Sequence, residues 1–393
     1  MNKINFLIQP LDGGLHRHFP AVRVALFVAL VTAATFGLTT SSRAQGGATH
    51  HEIVDRAYNA IDRTAYPALG ALLDAHQPAV DGGAVFPDCC YNMPFDHDWW
   101  ASMGELAHTA QFQMAYLNVV RDAFRRHSSD EADLKAISFL FGVIGHNEAD
   151  NPWHFGDGSS TPAFLTAALG ADPDDNEQYV EEGADVFCVF EYGEGGAEAA
   201  WDFPVETVRA AYSALGHDVP ALGLQQGLDM VAAYHTYNKA ATGLAYLAFQ
   251  VDLVWTHNNL ATYSVGGMDD AANHAADAWV WAWDELSTYK VFLPGTYNSS
   301  VDPPRSELQD GAQPAANTGQ PALDELRRAS HSEQYTTRML LQAQQLIEEG
   351  VVKVHSHTKD GIYTIERVEI LDQQRLNQLI QEDLAELTSQ SYR

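Results

Sequence analysis

Basic residues are scarce in this 393-residue chain: 22 Lys and Arg stand against 52 Asp and Glu, a formal charge of −30 at pH 7. A surface that acidic repels polyanions, which excludes a basic nucleic-acid clamp. Cysteine is scarcer still. Cys89, Cys90 and Cys188 are too few for a disulfide scaffold and allow either one bridge with a thiol left over or buried free thiols. The longest apolar run, Val24 to Leu38, has fifteen residues and falls short of the roughly 20 that a spanning helix needs. Strand-like alternation is nearly absent before residue 350, and no internal repeat is visible. What is present is a composition that folds: 46% hydrophobic, 10% aromatic and only 19% charged, over a length that suits one large domain or two ordinary ones.

Residues 1–44 read as an export signal. Lys3, Arg17 and Arg23 precede the apolar run, and Ser42-Arg43-Ala44 places small residues at the −3 and −1 positions of a cleavage site. Cutting after Ala44 leaves Gln45 at the mature N-terminus and predicts a secreted or periplasmic protein. Losing Lys3, Arg17, Arg23 and Arg43 against only Asp12 takes the formal charge from −30 to −33.

Residues 45–292 carry helical periodicity and predict an all-α, multi-helix domain. Thr49 and Glu52 have the spacing of a capping box, which places His50 in the first turn of a helix. Pro, Gly and Asn then accumulate in a linker over 293–325, and residues 326–393 read as a small α+β extension, a helix-hairpin-helix unit turning at Asp360-Gly361 with a last helix from Asp372. His355 and His357 share one side of the expected strand, where an exposed polar face is a better account than a metal pair.

The chemistry concentrates in His146-Asn147-Glu148-Ala149-Asp150-Asn151-Pro152-Trp153-His154. His146, Asp150 and His154 recur every four residues, so they drift around a helix by only about 80° and share a face. Two imidazoles flanking a carboxylate are the donor set zinc prefers, and the carboxylate can bridge two ions. Asp88 after Pro87, His97 beside Trp99 and Trp100, and the Glu181/Asp185 pair at i, i+4 add candidates. Taken alone, each also fits a turn, packing or a solvated acidic face.

Several short stretches in order resemble the zinc-dependent phospholipase C superfamily, most nearly the catalytic domain of the glycosylphosphatidylinositol-specific phospholipases D. They are Thr49-His50-His51-Glu52-Ile53, Gly83-Ala84-Val85-Phe86-Pro87-Asp88-Cys89, Phe139-Leu140-Phe141-Gly142 with His146, Asp150, Trp153 and His154, and Gly183 to Asp185 with Phe190-Glu191. A weaker likeness at Gly266 to Asp270 extends it towards residue 290. The resemblance implies a helical fold around three zinc ions. One would take Asp88, His97, His146 and Asp150, with His108 competing for the place of His97. A second would take the amine and carbonyl of Gln45, with His50 and the bridging Asp150. The third would take His154 and Asp185, with Glu181 standing where the family usually has histidine.

The activity implied is hydrolysis of a phospholipid headgroup diester by metal-activated water, with Asp88 and Asp150 as the catalytic carboxylates. The partner would be a phospholipid or membrane surface, and no stable nucleic-acid partner is expected. Trp99 and Trp153 are candidates for lipid contact, although tryptophans so placed ordinarily pack in a core, as is expected for Trp279, Trp281 and Trp283. Two competing readings are a single-strand nuclease of the same superfamily and a metal-stabilised lipid-binding module without turnover. His235, His257 and His274 are recruited by no motif and are expected to be structural or exposed.

Overall fold

A 24-residue helix, Glu131–His154, runs through the centre of the molecule and is buried from Ala136 to Trp153. The computed structural model describes residues 46–93, 97–154, 156, 160–170, 177–193, 200–287 and 343–390. The helices in chain order are α1 (Gly47–Ala60), α2 (Pro67–Ala75), α3 (Gln77–Val85), α4 (His97–Ala107), α5 (Ala110–Arg125), α6 (Glu131–His154), α7 (Phe164–Leu169), α8 (Glu177–Phe187), α9 (Val205–Ala214), α10 (Ala221–Asp252), α11 (Val254–Asn259), α12 (Met268–Ser287) and α13 (Gln373–Gln390). The fold is all-α with a small C-terminal sheet, as the sequence predicts. Among the described residues no helix is long and apolar enough to cross a membrane.

The central helix α6 starts well. Asp130 accepts the Ala132 amide at 2.9 Å, and Glu131 and Asp133 complement the helix dipole in the first turn. Pro152 lies two residues from the end, so the hydrogen bond it forfeits falls in the last turn, and the helix continues to His154. α3 crosses α6 closely because glycines face each other. A β-carbon on Gly142 would overlap the Val80 carbonyl and meet Gly83 Cα at 2.7 Å, and one on Gly83 would overlap the Phe139 carbonyl. Phe86, Phe112, Phe139, Tyr116 and Tyr212 fill the space beside this crossing, with Phe112 and Tyr212 centroids 4.8 Å apart. On the other side α12 packs against α1 and α6, with Trp279 fully buried and Trp281 and Trp283 packed on the core. The three cysteines are buried free thiols.

Three strands form one antiparallel sheet in the order β1-β3-β2: β1 (Trp201–Phe203), β2 (Val352–Lys359) and β3 (Ile362–Ile370). The hairpin turns at Asp360-Gly361, both at positive φ (52° and 80°), the conformation that favours Asp-Gly there. Its pairing with β1, Trp201 opposite Ile365 and Phe203 opposite Tyr363, joins the C-terminal extension to the helical body. Tyr363 donates its hydroxyl to Asp229 of α10 at 2.6 Å, and Thr364 donates to Asp202 at 2.5 Å. His355 and His357 face Glu369 and Glu366 across the hairpin at 2.6 and 3.3 Å. The N-terminal segment 1–45, the expected linker over 293–325 and the start of the expected helix at 326 lie outside the described residues.

The capping box expected at Thr49 and Glu52 is corrected. α1 begins three residues earlier, with Gly46 as its N-cap, and Thr49 is inside the helix. Its amide and hydroxyl bond to Asp185 of α8 rather than closing a local box, because the helix start is buried under α8.

Candidate metal centre

Four elements bring titratable side chains to one buried point. α6 supplies His146 and Asp150, 0% and 6% exposed. α1 supplies His50, whose ring stacks on His146 with centroids 3.8 Å apart. The 3-10 turn Pro87–Asn92 that follows α3 supplies Asp88, and the junction between α4 and α5 supplies His108.

The orientation of two rings is fixed by the backbone. His146 Nδ1 lies 2.7 Å from the Ala84 carbonyl, a contact that exists because Gly83 and Gly142 let α3 and α6 touch. His108 Nδ1 lies 2.8 Å from the Gly104 carbonyl one helical turn back. A carbonyl only accepts, so each Nδ1 carries the proton and each neutral ring presents an Nε2 lone pair. Those two Nε2 atoms point at each other, 2.9 Å apart. Carboxylate oxygens converge on the same point: Asp88 Oδ1 and Asp150 Oδ2 each lie 3.4 Å from His108 Nε2, and Asp150 Oδ2 lies 3.3 Å from His146 Nε2. The other oxygen of Asp150 lies 3.3 Å from His50 Nε2, so this one carboxylate spans both sides of the cluster.

Lone pairs and carboxylates that converge in a dry site repel one another unless a proton or a cation stands between them. The metal-free protein uses protons. Burial opposes a charge on His108, but the bond to Asp88 and the fields of Asp150 and Asp88 outweigh it and push that imidazole up to about 9. Burial, reinforced by His50, keeps His146 below the ordinary histidine range. Burial alone would raise Asp150, yet the neighbouring imidazoles hold it well below the carboxylate range.

The residues fit zinc. His50, Asp88 and His146 form one set whose ligand atoms all lie within 4.8 Å of each other, and His108, His146 and Asp150 form a second. Both combine imidazole nitrogen with carboxylate oxygen, the donors that zinc takes, and the carbonyls of Ala84 and Gly104 supply the outer contacts that orient ligand histidines.

The other expected site residues are placed as follows. His97 opens α4 but its side chain lies outside the described residues, and the imidazole beside Asp88 and Asp150 is His108. Gln45 also lies outside them. His154 is 4.0 Å from Glu181, while Asp185 bonds to α1. Trp153 is corrected: it is 0% exposed, stacked on Phe164 at 4.4 Å and bonded to the Gly266 carbonyl, so it is a core ring with no face for lipid. Trp99 is half-buried, edge-on to Trp100 at 4.8 Å.

His51 and His235 are two buried histidines outside the expected ligand set. They lie against β1, His51 stacked on Trp201 and His235 edge-on to it, both centroids at 5.7 Å. Burial pushes His51 down to about 3 and His235 down to about 4. Both are therefore neutral rings behind the centre, and only the fold shows it, since they sit on α1 and α10, far apart in sequence.

Comparison with known proteins points to the same metal. Residues 49–214 match the family model of zinc dependent phospholipase C. The chain is similar to phosphatidylinositol-glycan-specific phospholipase D of Homo sapiens, 27% identical over 239 residues, which is 58% of this chain and 28% of that protein. The Rattus norvegicus protein of the same name is 27% identical over 248 residues, 58% of this chain and 27% of that protein, and the Mus musculus protein is 26% identical over 252 residues, 59% and 28%. The matched part thus spans little more than a quarter of those relatives. No solved structure matches at a comparable level of significance.

Proposed function

We propose, from the membership of residues 49–214 in the zinc-dependent phospholipase C superfamily, that this chain is a secreted zinc-dependent hydrolase of phospholipid headgroup diesters, cleaving in the manner of a phospholipase C. The observation that carries the reading is the pair of backbone-oriented imidazoles, His108 and His146, whose Nε2 atoms face each other at 2.9 Å among two carboxylates.

His50, Asp88, His108, His146 and Asp150 would hold the metal. Zinc, when bound, supplies Lewis acidity towards a phosphate oxygen and makes water nucleophilic at neutral pH. The chain's own contribution is positional. Asp150 presents one oxygen to His50 and the other to His108 and His146, so it links both donor sets. The Asp88 side chain, 14% exposed, is less buried than that of Asp150 at 8%, and it takes the proton from the attacking water. The water oxygen bonds to phosphorus, the bond from phosphorus to the glycerol oxygen breaks, and the released alkoxide takes the proton from Asp88, giving diacylglycerol and the phosphorylated headgroup. The rest of the site keeps bulk water out, with His50 and His146 fully buried.

The test is product analysis from mixed phospholipid vesicles incubated with zinc-loaded protein. Diacylglycerol is the expected product. Phosphatidic acid would replace the C-type cut with the D-type cut that the relatives' name describes, and a phosphatidylinositol glycan would then be the substrate to try. His146→Ala and Asp150→Ala should each abolish hydrolysis while the protein stays folded, and full activity in either sinks the proposal. For export, the prediction is a mature protein whose first residue is Gln45, read by N-terminal sequencing of the material outside the cytoplasm.

A further inference from the structure

α1 begins without a cap of its own. Its N-cap is Gly46, which has no side chain to offer, yet the first turn is buried, with Ala48, Thr49 and His50 at 2%, 0% and 0% exposure. Amides at the start of a helix have no intrahelical acceptor and, once buried, must find one elsewhere. Here it comes from 136 residues away. Asp185 Oδ1 accepts both the Thr49 amide and the Thr49 hydroxyl at 2.8 Å, and the Ala48 amide also bonds to this carboxylate. The approach depends on Gly46, where a β-carbon would overlap the Asp185 carboxylate.

Asp185 is engaged with the backbone of α1. Glu181 stands where an imidazole is usual and lies 4.0 Å from His154, a spacing that two donors of one ion can have. The two groups of converging donors among the described residues draw only on His50, Asp88, His108, His146 and Asp150.

We propose that Asp185 is a positioning residue, capping α1 from α8 and so fixing His50. This rests on the metal reading of the site and not on any particular substrate. Thr49 and His50 are consecutive, so the bond that pins the amide of one sets the backbone that carries the ring of the other. A cap needs an acceptor oxygen and no charge, because its partners are neutral N–H and O–H groups. A zinc ligand at this position needs the carboxylate itself. Asparagine keeps the oxygen and loses the charge, so Asp185→Asn separates the two roles.

The experiment counts zinc by mass spectrometry in the purified wild type, Asp185→Asn and Asp185→Ala proteins, and follows thermal melting of each with and without chelator. The same zinc content is expected in the wild type and in Asp185→Asn. Asp185→Ala should melt several degrees lower even with chelator and bind zinc about 10-fold more weakly, a loss that Asn rescues. Thr49→Val, which removes only the hydroxyl bond, should fall between wild type and Asp185→Ala and serves if the alanine variant does not fold. One ion fewer in Asp185→Asn than in the wild type would make Asp185 a ligand and overturns the positioning role. Melting of Asp185→Ala and Thr49→Val at the wild-type temperature overturns the cap. Protein that takes up no zinc at all refutes the metal reading itself, and the chelated melting curves still decide the cap.

Discussion

An imidazole whose Nδ1 is committed to a carbonyl has only Nε2 left, and that makes His108 testable on its own. His108→Ala should weaken zinc binding by at least 10-fold and lower turnover in step, whereas His97→Ala should leave both unchanged; equilibrium dialysis against radiolabelled zinc distinguishes them. Proton competition gives a second outcome. The His108 proton of the metal-free protein, held up to about 9, must leave before Nε2 can bind a cation. Apparent zinc affinity should therefore rise about tenfold per pH unit up to about 9 through this one group, and titration calorimetry in buffers of different ionisation enthalpy should register the released proton. The same shift has an opposite sign for the metal-free fold. A histidine raised from 6.5 to about 9 contributes stability that is fully present below 6.5 and disappears as pH climbs through 9. The metal-free protein should lose thermal stability over that window, and the zinc-loaded protein should not.

At the scale of elements the crossing of α3 and α6 sets the site, since the same glycine contact that packs them brings the Ala84 carbonyl to His146. Gly142→Ala should destabilise the fold by roughly 1–3 kcal/mol, as overpacking of a tight interior does, and should lower zinc affinity as well because the helices must part. A melting curve combined with zinc content tests both. This interplay also marks how far the sequence could be read. The stripe His146, Asp150, His154 was legible because it lies on one continuous helix and depends only on the 3.6-residue turn. The Asp360-Gly361 hairpin was legible for the same local reason. The cap of α1 was not, since the acceptor is on α8, and neither was β1, three residues whose strand geometry exists because β3 pairs with them. The choice between His108 and His97 depended on a junction whose register periodicity does not fix.

For the molecule as a whole, the C-terminal hairpin packs on α10 and β1, which lie against the histidines behind the metal centre. Trp201 pairs with the hairpin and packs on His51 and His235, and Asp229, bonded to Tyr363, lies six residues before His235. Asp229 reports on that joint. Burial pushes it up to about 6, with the Tyr363 hydroxyl pulling the other way. A carboxyl raised in the folded state costs stability once pH passes its unfolded value, by up to about 3 kcal/mol for a shift of this size at neutral pH. Asp229→Asn retains an acceptor for Tyr363 without the charge. It should melt with the wild type near pH 4 and above it by pH 7.

The order of the sheet has a kinetic consequence. β3 reaches β1 across about 160 residues of chain, so its pairing closes a very long loop and contributes distant contacts that form slowly. During synthesis α1 to α9 emerge well before the strand that completes β1, and for that interval the edge of Trp201–Phe203 lacks its partner. The helical body can assemble around α6 first, and the arrival of the hairpin, the last strand pair to be made, converts it into the finished molecule.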